Sequence, residues 1–248
     1  LDEAGRVALA CQMVGEGFLE GGLVTRSGRI ILEIWGAGRQ GANWECGVLL
    51  SDDDGRSWRY RRVGFEADHA IRADPLMPAG YNEQSLFELA DGSIVSIIRG
   101  RENLGAVRPD ALDETWFFRS VSTDGGESWS KPARTNLPGT GASMNGIVLP
   151  DGSLVLPVRI CKHAETTWVR PPNPQFFGLH IARSFDCGLT WQSQEFLQHD
   201  PAGKPFDDYY NAMNGQFLPL EDGRWMYLFG HFDHPRDRHR ILCFELSL

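Results

Sequence analysis

The sequence predicts an all-β fold, a β-propeller of four-stranded antiparallel blades, on three observations. Four segments carry a hairpin signature, three others carry one repeated Asp-containing turn, and the two motifs alternate along the chain. No stretch shows a helical period of useful length. Stacked four-stranded units, each burying its faces against its neighbours, give this pattern.

The hairpin segments are GGLVTRSGRIILEIW (21–35), SLFELADGSIVSIIR (85–99), GIVLPDGSLVLPVR (146–159) and GQFLPLEDGRWMYLFG (215–230). Each is an apolar run, a turn ending in Gly, and a second apolar run. Asp-Gly or Ser-Gly between β-rich runs signals a hairpin, because glycine takes the positive φ a tight turn needs. The turn glycines Gly28, Gly92, Gly152 and Gly223 are spaced by 64, 60 and 71 residues.

The interleaved motif reads SDDDGRSW (51–58), STDGGESW (122–129) and SFDCGLTW (184–191), all of the form Ser-x-Asp-x-Gly-x-Ser/Thr-Trp. Asp53, Asp124 and Asp186 are read as turn-formers whose carboxylates accept N–H groups of their own turn. Gly55, Gly126 and Gly188 supply left-handed geometry. Trp58, Trp129 and Trp191 are expected to pack between neighbouring sheets. A strand precedes each copy, as in WECGVLL and TWFFRSV, and another follows.

Each unit is thus hairpin, strand, Asp turn, strand. The expectation is a single propeller domain over 1–248, with blades near 15–66, 80–136, 142–199 and 209–248. The fourth unit is cut short: Ser247-Leu248 matches the first two positions of a fourth Asp turn. A fragment of a longer propeller is expected; the alternative is a four-bladed ring in which residues 5–13 supply the missing outer strand.

Composition sets the bounds. With 248 residues, 42% hydrophobic and 23% charged, the chain has the make-up of a folded protein. Net charge −9 argues against nucleic acid as the main partner, since phosphate binding needs a basic footprint. No apolar run is long enough for a membrane helix, and LDEAGRVALACQMV at the start has no secretory pattern. Cys11, Cys46, Cys161, Cys187 and Cys243 are widely spaced without a CxxC pair. They are expected to be free thiols, mostly small core residues, which favours a reducing, cytoplasmic setting. Lys131, Lys162 and Lys204 are the only lysines among 24 basic residues. Genomic base usage is the simpler reading of that bias, and bidentate carboxylate recognition by arginine the functional one.

In the hairpin centred on Asp91-Gly92, Glu83 and Gln84 at the start of one strand face Arg99 at the end of the next. A carboxylate and a guanidinium then meet at one end of an innermost hairpin, where a propeller has its central funnel.

The triple Ser-x-Asp-x-Gly-x-Ser/Thr-Trp motif resembles the Asp-box (BNR) repeat of the sialidase superfamily, and the units that carry it cover nearly the whole chain. That resemblance implies a six-bladed parent fold. It also implies a glycoside hydrolase removing terminal sialic acid or a related anionic sugar. Asp boxes also occur in proteins that are not enzymes, so two alternatives stand. One is a non-hydrolytic propeller binding glycan or protein; the other is a lyase acting on uronic acids, with His231 as its base.

YNEQSLFELADGSIVSIIR resembles the family segment in which a Glu opens the inner strand and an Arg closes the next. By that resemblance Glu83 activates a tyrosine nucleophile, and Arg99 is one of three arginines gripping the substrate carboxylate. Arg159, closing GSLVLPVR, is the third-blade match. HFDHPRDRHRILCFELS resembles the stretch before a last Asp box, where Arg240 or Arg238 fits. Several arginines fix a carboxylate by bidentate bonds. A neutral phenol avoids repulsion from that carboxylate, and a neighbouring Glu takes its proton. Of Tyr60, Tyr81, Tyr209, Tyr210 and Tyr227, only Tyr81, Tyr209 and Tyr210 lie just before inner strands, and Tyr210 is the candidate nucleophile. Asn145, Asn214 and His231 complete the candidate binding set, His231 facing Asn214 across the fourth hairpin. The run His231, Asp233, His234, Asp237, His239 is read as a solvated loop, so neither a metal nor another cofactor is expected.

Overall fold

The computed structural model describes residues 17–37, 44–64, 80–102, 114–138, 145–160, 178–199, 213–221, 223–233 and 238–247. Among these the chain is all-β, with no helix. The strands form four successive antiparallel meanders. The first is β1 (Gly17–Val24), β2 (Ile30–Ala37), β3 (Trp44–Ser51) and β4 (Arg59–Gly64). The second is β5 (Gly80–Glu88), β6 (Ile94–Glu102), β7 (Glu114–Ser122) and β8 (Ala133–Pro138). The third is β9 (Ile147–Val148), β10 (Leu154–Ile160), β11 (Gly178–Ser184) and β12 (Gln192–His199). The fourth is β13 (Met213–Pro219), β14 (Trp225–Asp233) and β15 (Arg238–Leu246).

The first two meanders share one sheet, joined where Trp44 of β3 meets Gly80 of β5 in a parallel bridge. The third and fourth are separate open sheets, ordered β12-β11-β10-β9 and β13-β14-β15. By compactness the chain divides into two units, Leu1–Gly100 with Phe118–Ala133, and Arg101–Phe117 with Arg134–Leu248.

The strands follow from their residues. In β6, Ile94, Val95, Ser96, Ile97 and Ile98 are all buried, and in β10 so are Leu154, Val155, Leu156 and Val158. Near-continuous β-branched and leucine runs of this kind suit strands covered on both faces. The second unit's core gathers Leu149, Val155, Leu179, Ile181, Phe217, Tyr227, Phe229 and Leu246.

The four hairpins turn alike. In the first, Gly28 N–H donates to Thr25 O at 2.8 Å and Thr25 N–H to Arg29 O at 2.8 Å. The same pair of bonds recurs at Leu89/Gly92/Ser93, Leu149/Gly152/Ser153 and Leu220/Gly223/Arg224. All four glycines have φ between 81° and 89°.

The Asp turns follow β3, β7 and β11, and each joins the third strand of its meander to the fourth. Their hydrogen bonds superimpose residue by residue. Ser51 Oγ–H donates to Asp53 Oδ1 at 2.8 Å and accepts Gly55 N–H at 2.9 Å. Asp53 then accepts Ser57 N–H at 2.8 Å and Ser57 Oγ–H at 2.6 Å. Asp124 accepts the same groups from Ser122 and Ser128, and Asp186 from Ser184 and Thr190. Two consecutive left-handed residues close each turn: Asp54-Gly55, Gly125-Gly126 and Cys187-Gly188.

The turn tryptophans fold back on their own turns: each indole N–H donates to the glycine carbonyl three residues earlier, at 2.9, 3.0 and 3.1 Å. Trp191 is buried, but Trp58 and Trp129 keep part of their surface in solvent. Three of the five cysteines lie among the described residues. Cys46 is buried, whereas Cys187 and Cys243 are exposed.

In the first unit charged side chains tie the turns together. Arg29 pairs with Asp52 at 2.6 Å and Glu127 at 3.1 Å. Arg59 pairs with Asp52 at 2.7 Å and also with Glu127, and Arg61 with Glu127 at 2.9 Å. These groups are partly exposed, so each pair contributes little alone. No helix among the described residues is long and apolar enough to cross a membrane.

The turn carboxylates set an acid limit. Bonds from the Ser57 hydroxyl and N–H lower Asp53 to about 2, and those from Ser128 lower Asp124 to about 2. Burial opposes ionisation of Asp186, but bonds from Thr190 and Ser184 outweigh it and its carboxyl is lowered too. Groups lowered on folding stabilise above their ordinary value of 3.8, and that stabilisation is lost as pH falls through the folded value. The urea midpoint is therefore expected to hold from neutrality to about pH 5 and drop between roughly pH 4 and 2. Asp124→Ala is expected to cost about 1–2 kcal/mol at neutral pH and to make the acid limb shallower. A wild-type acid limb in Asp124→Ala would contradict this assignment.

Candidate functional site

The head of β5 is built by exclusion of side-chain volume. A Cβ on Gly80, at φ +113°, would lie 2.3 Å from Trp44 O, so the chain enters β5 through a position only glycine fills. Tyr81 follows. It is buried, set edge-on to Phe118 with ring centroids 5.3 Å apart, and packed on the bare Cα positions of Gly64 and Gly100. That packing makes Tyr81 a core residue rather than a nucleophile.

Asn82 is next, 3% exposed, and its Nδ2 has no hydrogen-bond partner. Glu83 then adopts φ +33°. It is the single non-glycine residue outside the Asp turns, among the described residues, with positive φ. A β-carbon makes that conformation costly by about 1–3 kcal/mol, and such outliers concentrate at functional sites. Its carboxylate Oε2 accepts Arg99 Nη1–H at 2.8 Å, and both side chains are only 12% exposed. The hairpin thus brings Glu83 and Arg99 together as their spacing around Asp91-Gly92 predicts.

Beyond Glu83 the strand is pinned by buried side chains. Gln84 Nε2–H donates to Gly47 O at 2.5 Å and Ile34 O at 3.4 Å, and Gln84 Oε1 accepts Ser96 Oγ–H at 2.8 Å. Leu86 N–H donates to Oε1 of the buried Glu33 at 3.0 Å. These bonds fix β5 against β2, β3 and β6 and so hold Glu83 in register with Arg99. Chemically, the pair offers a carboxylate base beside a planar donor suited to oxyanions.

A second cluster escaped the sequence reading. Glu45 Oε1 accepts Tyr60 O–H at 3.2 Å, and Glu45 Oε2 pairs with Arg62 Nη2 at 3.3 Å. Glu45 and Gly47 lie on the β3 face that Tyr60 and Arg62 occupy on β4. The Tyr60 ring fills the space above Gly47, where a Cβ would lie 2.1 Å from it. The available signal was the register that the first Asp turn imposes, Leu50 opposite Arg59 and Leu49 opposite Tyr60.

The other candidates are distributed as follows. Arg159 lies in β10 opposite Leu179, and Arg238 and Arg240 lie in β15 opposite Asp233 and His231. Asn145 Nδ2–H donates to Gly215 O at 3.3 Å, joining its segment to β13. The β13–β14 register runs Met213 to Gly230, then Gln216 to Leu228 across a shift, and Asn214 falls within that shift. Only Arg240 is a register partner of His231, so the expected Asn214–His231 facing is replaced by a β14–β15 neighbour. The side chains of Arg159, Asn214, Arg238 and Arg240, all of Tyr209 and Tyr210, and every side chain from His231 to His239 lie outside the described residues.

Comparison with known proteins bears on this geometry. The family model described as "BNR repeat-like domain" matches residues 8–212. No curated protein matches the chain. Among solved structures, a protein of unknown function from Dyadobacter fermentans is 21% identical, with a TM-score of 0.56 over 94% of this chain and 65% of its own. NanB bound to Optactamide is 20% identical, with a TM-score of 0.58 over 96% of this chain and 32% of its own. The Penicillium chrysogenum alpha-L-arabinanase bound to arabinobiose is 13% identical, with a TM-score of 0.57 over 92% of this chain and 62% of its own. At these identities the likeness is one of fold, and the chain spans between one third and two thirds of each of these structures.

The backbone at Glu83 gives a direct test. Glu83→Gly and Glu83→Ala both remove the ion pair, but only glycine relieves the left-handed conformation. Glu83→Gly is expected to be the more stable of the two by about 1 kcal/mol in urea unfolding. Equal midpoints would show that no strain resides there.

Proposed function

The chain belongs to the BNR repeat-like domain family, and on that premise we propose that it is a carbohydrate-active protein whose meanders are blades of a sialidase-like propeller. The finer reading is an exo-glycosidase acting on terminal sialic acid or a related anionic sugar. The Glu83–Arg99 pair, at 2.8 Å and held by a left-handed Glu83, is the observation that carries it. The fold likeness to an arabinanase bound to arabinobiose supports a saccharide as the ligand class.

In this reading Arg99 donates in-plane hydrogen bonds to the sugar carboxylate. A tyrosine attacks the anomeric carbon as the glycosidic oxygen leaves with a proton from an acid. Glu83 accepts the phenolic proton, and water then releases the sugar from the tyrosine. The Arg99 Nη1–H bond to Oε2 fixes the orientation of the Glu83 carboxylate.

A fluorogenic sialoside tests this reading. Arg99→Ala is expected to lower kcat/KM by about 10- to 100-fold, the loss of one charge-assisted contact to the carboxylate. Glu83→Gln is expected to lower kcat. Unchanged turnover in Arg99→Ala, or wild-type activity on neutral arabinosides alone, would overturn the anionic-sugar reading. Sialoside binding without turnover, lost in Arg99→Ala, would assign the chain to non-hydrolytic glycan binding.

A further inference from the structure

The second compact unit holds a groove of about 340 Å³ between the third and fourth hairpin turns, a size in the range of small-molecule sites. Its apolar wall is Pro150, Pro219, Leu220 and a half-buried Trp225. Arg183 and Arg224 are its cations.

The repeats show that the fold does not impose this chemistry. The first residue of the second hairpin strand is Ile30, Ile94 and Leu154 in the other meanders, and Trp225 here. Ile94 and Leu154 are fully buried and Ile30 is half-buried, whereas Trp225 brings an aromatic ring to the groove while lying edge-on to Phe217, centroids 6.5 Å apart. In the cleft between the first two hairpin turns the matching residue is the aliphatic Ile94, and Arg29, Asp52, Glu88 and Asp124 supply charged lining. The third Asp turn departs in the same direction. Phe185 stands where the earlier turns carry Asp52 and Thr123; it is 60% exposed and supports the Arg183 guanidinium 4.8 Å from its ring centroid.

The charges are neutralised within the protein. Arg183 pairs with Asp151 at 2.6 Å, and Arg224 pairs with Glu245. The groove therefore presents an aromatic face and polar edges with no net charge to offer an anion. That combination suits a neutral ring with apolar C–H faces and hydroxyl edges better than a carboxylate or phosphate.

We propose that this groove is a second saccharide site, holding a neutral sugar ring on Trp225 with its hydroxyls against the Arg183–Asp151 and Arg224–Glu245 pairs. It rests on the carbohydrate-active reading and adds to it an uncharged section of glycan, bound in the second unit, as a ligand class.

The test uses calorimetry with two probes, neutral arabino-oligosaccharides and sialyllactose. Trp225→Ile installs the residue that two other hairpins carry, so the meander keeps an apolar side chain there. It is expected to weaken arabino-oligosaccharide binding about tenfold and leave sialyllactose binding unchanged. Arg99→Ala is expected to do the reverse. Equal arabino-oligosaccharide affinity in wild type and Trp225→Ile overturns the groove assignment, as does absence of that binding in wild type. In either case, sialyllactose binding that Arg99→Ala abolishes leaves the anionic-sugar reading standing. Failure to bind both probes overturns both.

Discussion

The fold depends on a small hydrogen-bonding problem solved three times in the same way. A strand that reverses within a few residues leaves backbone N–H groups with no ladder partner. In each Asp turn one carboxylate and one serine hydroxyl take up those groups, and two consecutive left-handed residues supply the curvature. The solution is internal to eight residues, so it does not depend on which neighbour lies alongside. It also fixes register. Ser51 and Ser184, the residues that open two of these turns, sit opposite Ile30 and Leu154 across the adjacent strand pair. From that point the alternation of each strand decides which side chains meet.

What was legible in the sequence follows from that locality. The hairpins and Asp turns could be read because their signals lie within one turn of chain and depend on glycine and carboxylate chemistry alone. Glu83 and Arg99 could be paired because a single hairpin separates them. The rest needed longer range or finer detail. Glu33 meets Leu86 and Gln84 meets Gly47 across separations that no periodicity encodes. Tyr60 reaches Glu45 only because Gly47 leaves room. The left-handed backbone at Glu83 has no sequence signature, since nothing in YNEQSL marks a position that glycine would favour.

The arginine bias also has a structural answer. Arg29 grips Asp52 through two nitrogens while a third reaches the Gly125 carbonyl. The Arg26 guanidinium pairs through Nε with Glu88 at 3.4 Å and donates to the carbonyls of Leu89 and Ala90 in the second hairpin. Lysine, with a single ammonium, could not serve two or three acceptors in fixed directions. Around these contacts the guanidinium lowers its carboxylate partners, Arg29 acting first on Asp52 and Arg59 first on Glu127. Arginine here holds turn to turn, whatever base composition also favours it.

The head of β5 has a kinetic consequence. A buried side-chain Nδ2 without a partner at Asn82 and a left-handed glutamate at Glu83 stand next to each other, directly before the firmly anchored Gln84. Each raises the energy of the closed arrangement, so each lowers the free-energy gap to a locally opened one. Breathing motions should then begin at Asn82–Glu83 and stop at Gln84, a boundary one residue wide. Amide protons at the head of the strand would exchange with solvent well before those of Leu86 or Phe87. Under the proposed function, a ligand held by Arg99 would slow that exchange, making this short stretch of backbone a reporter of its binding.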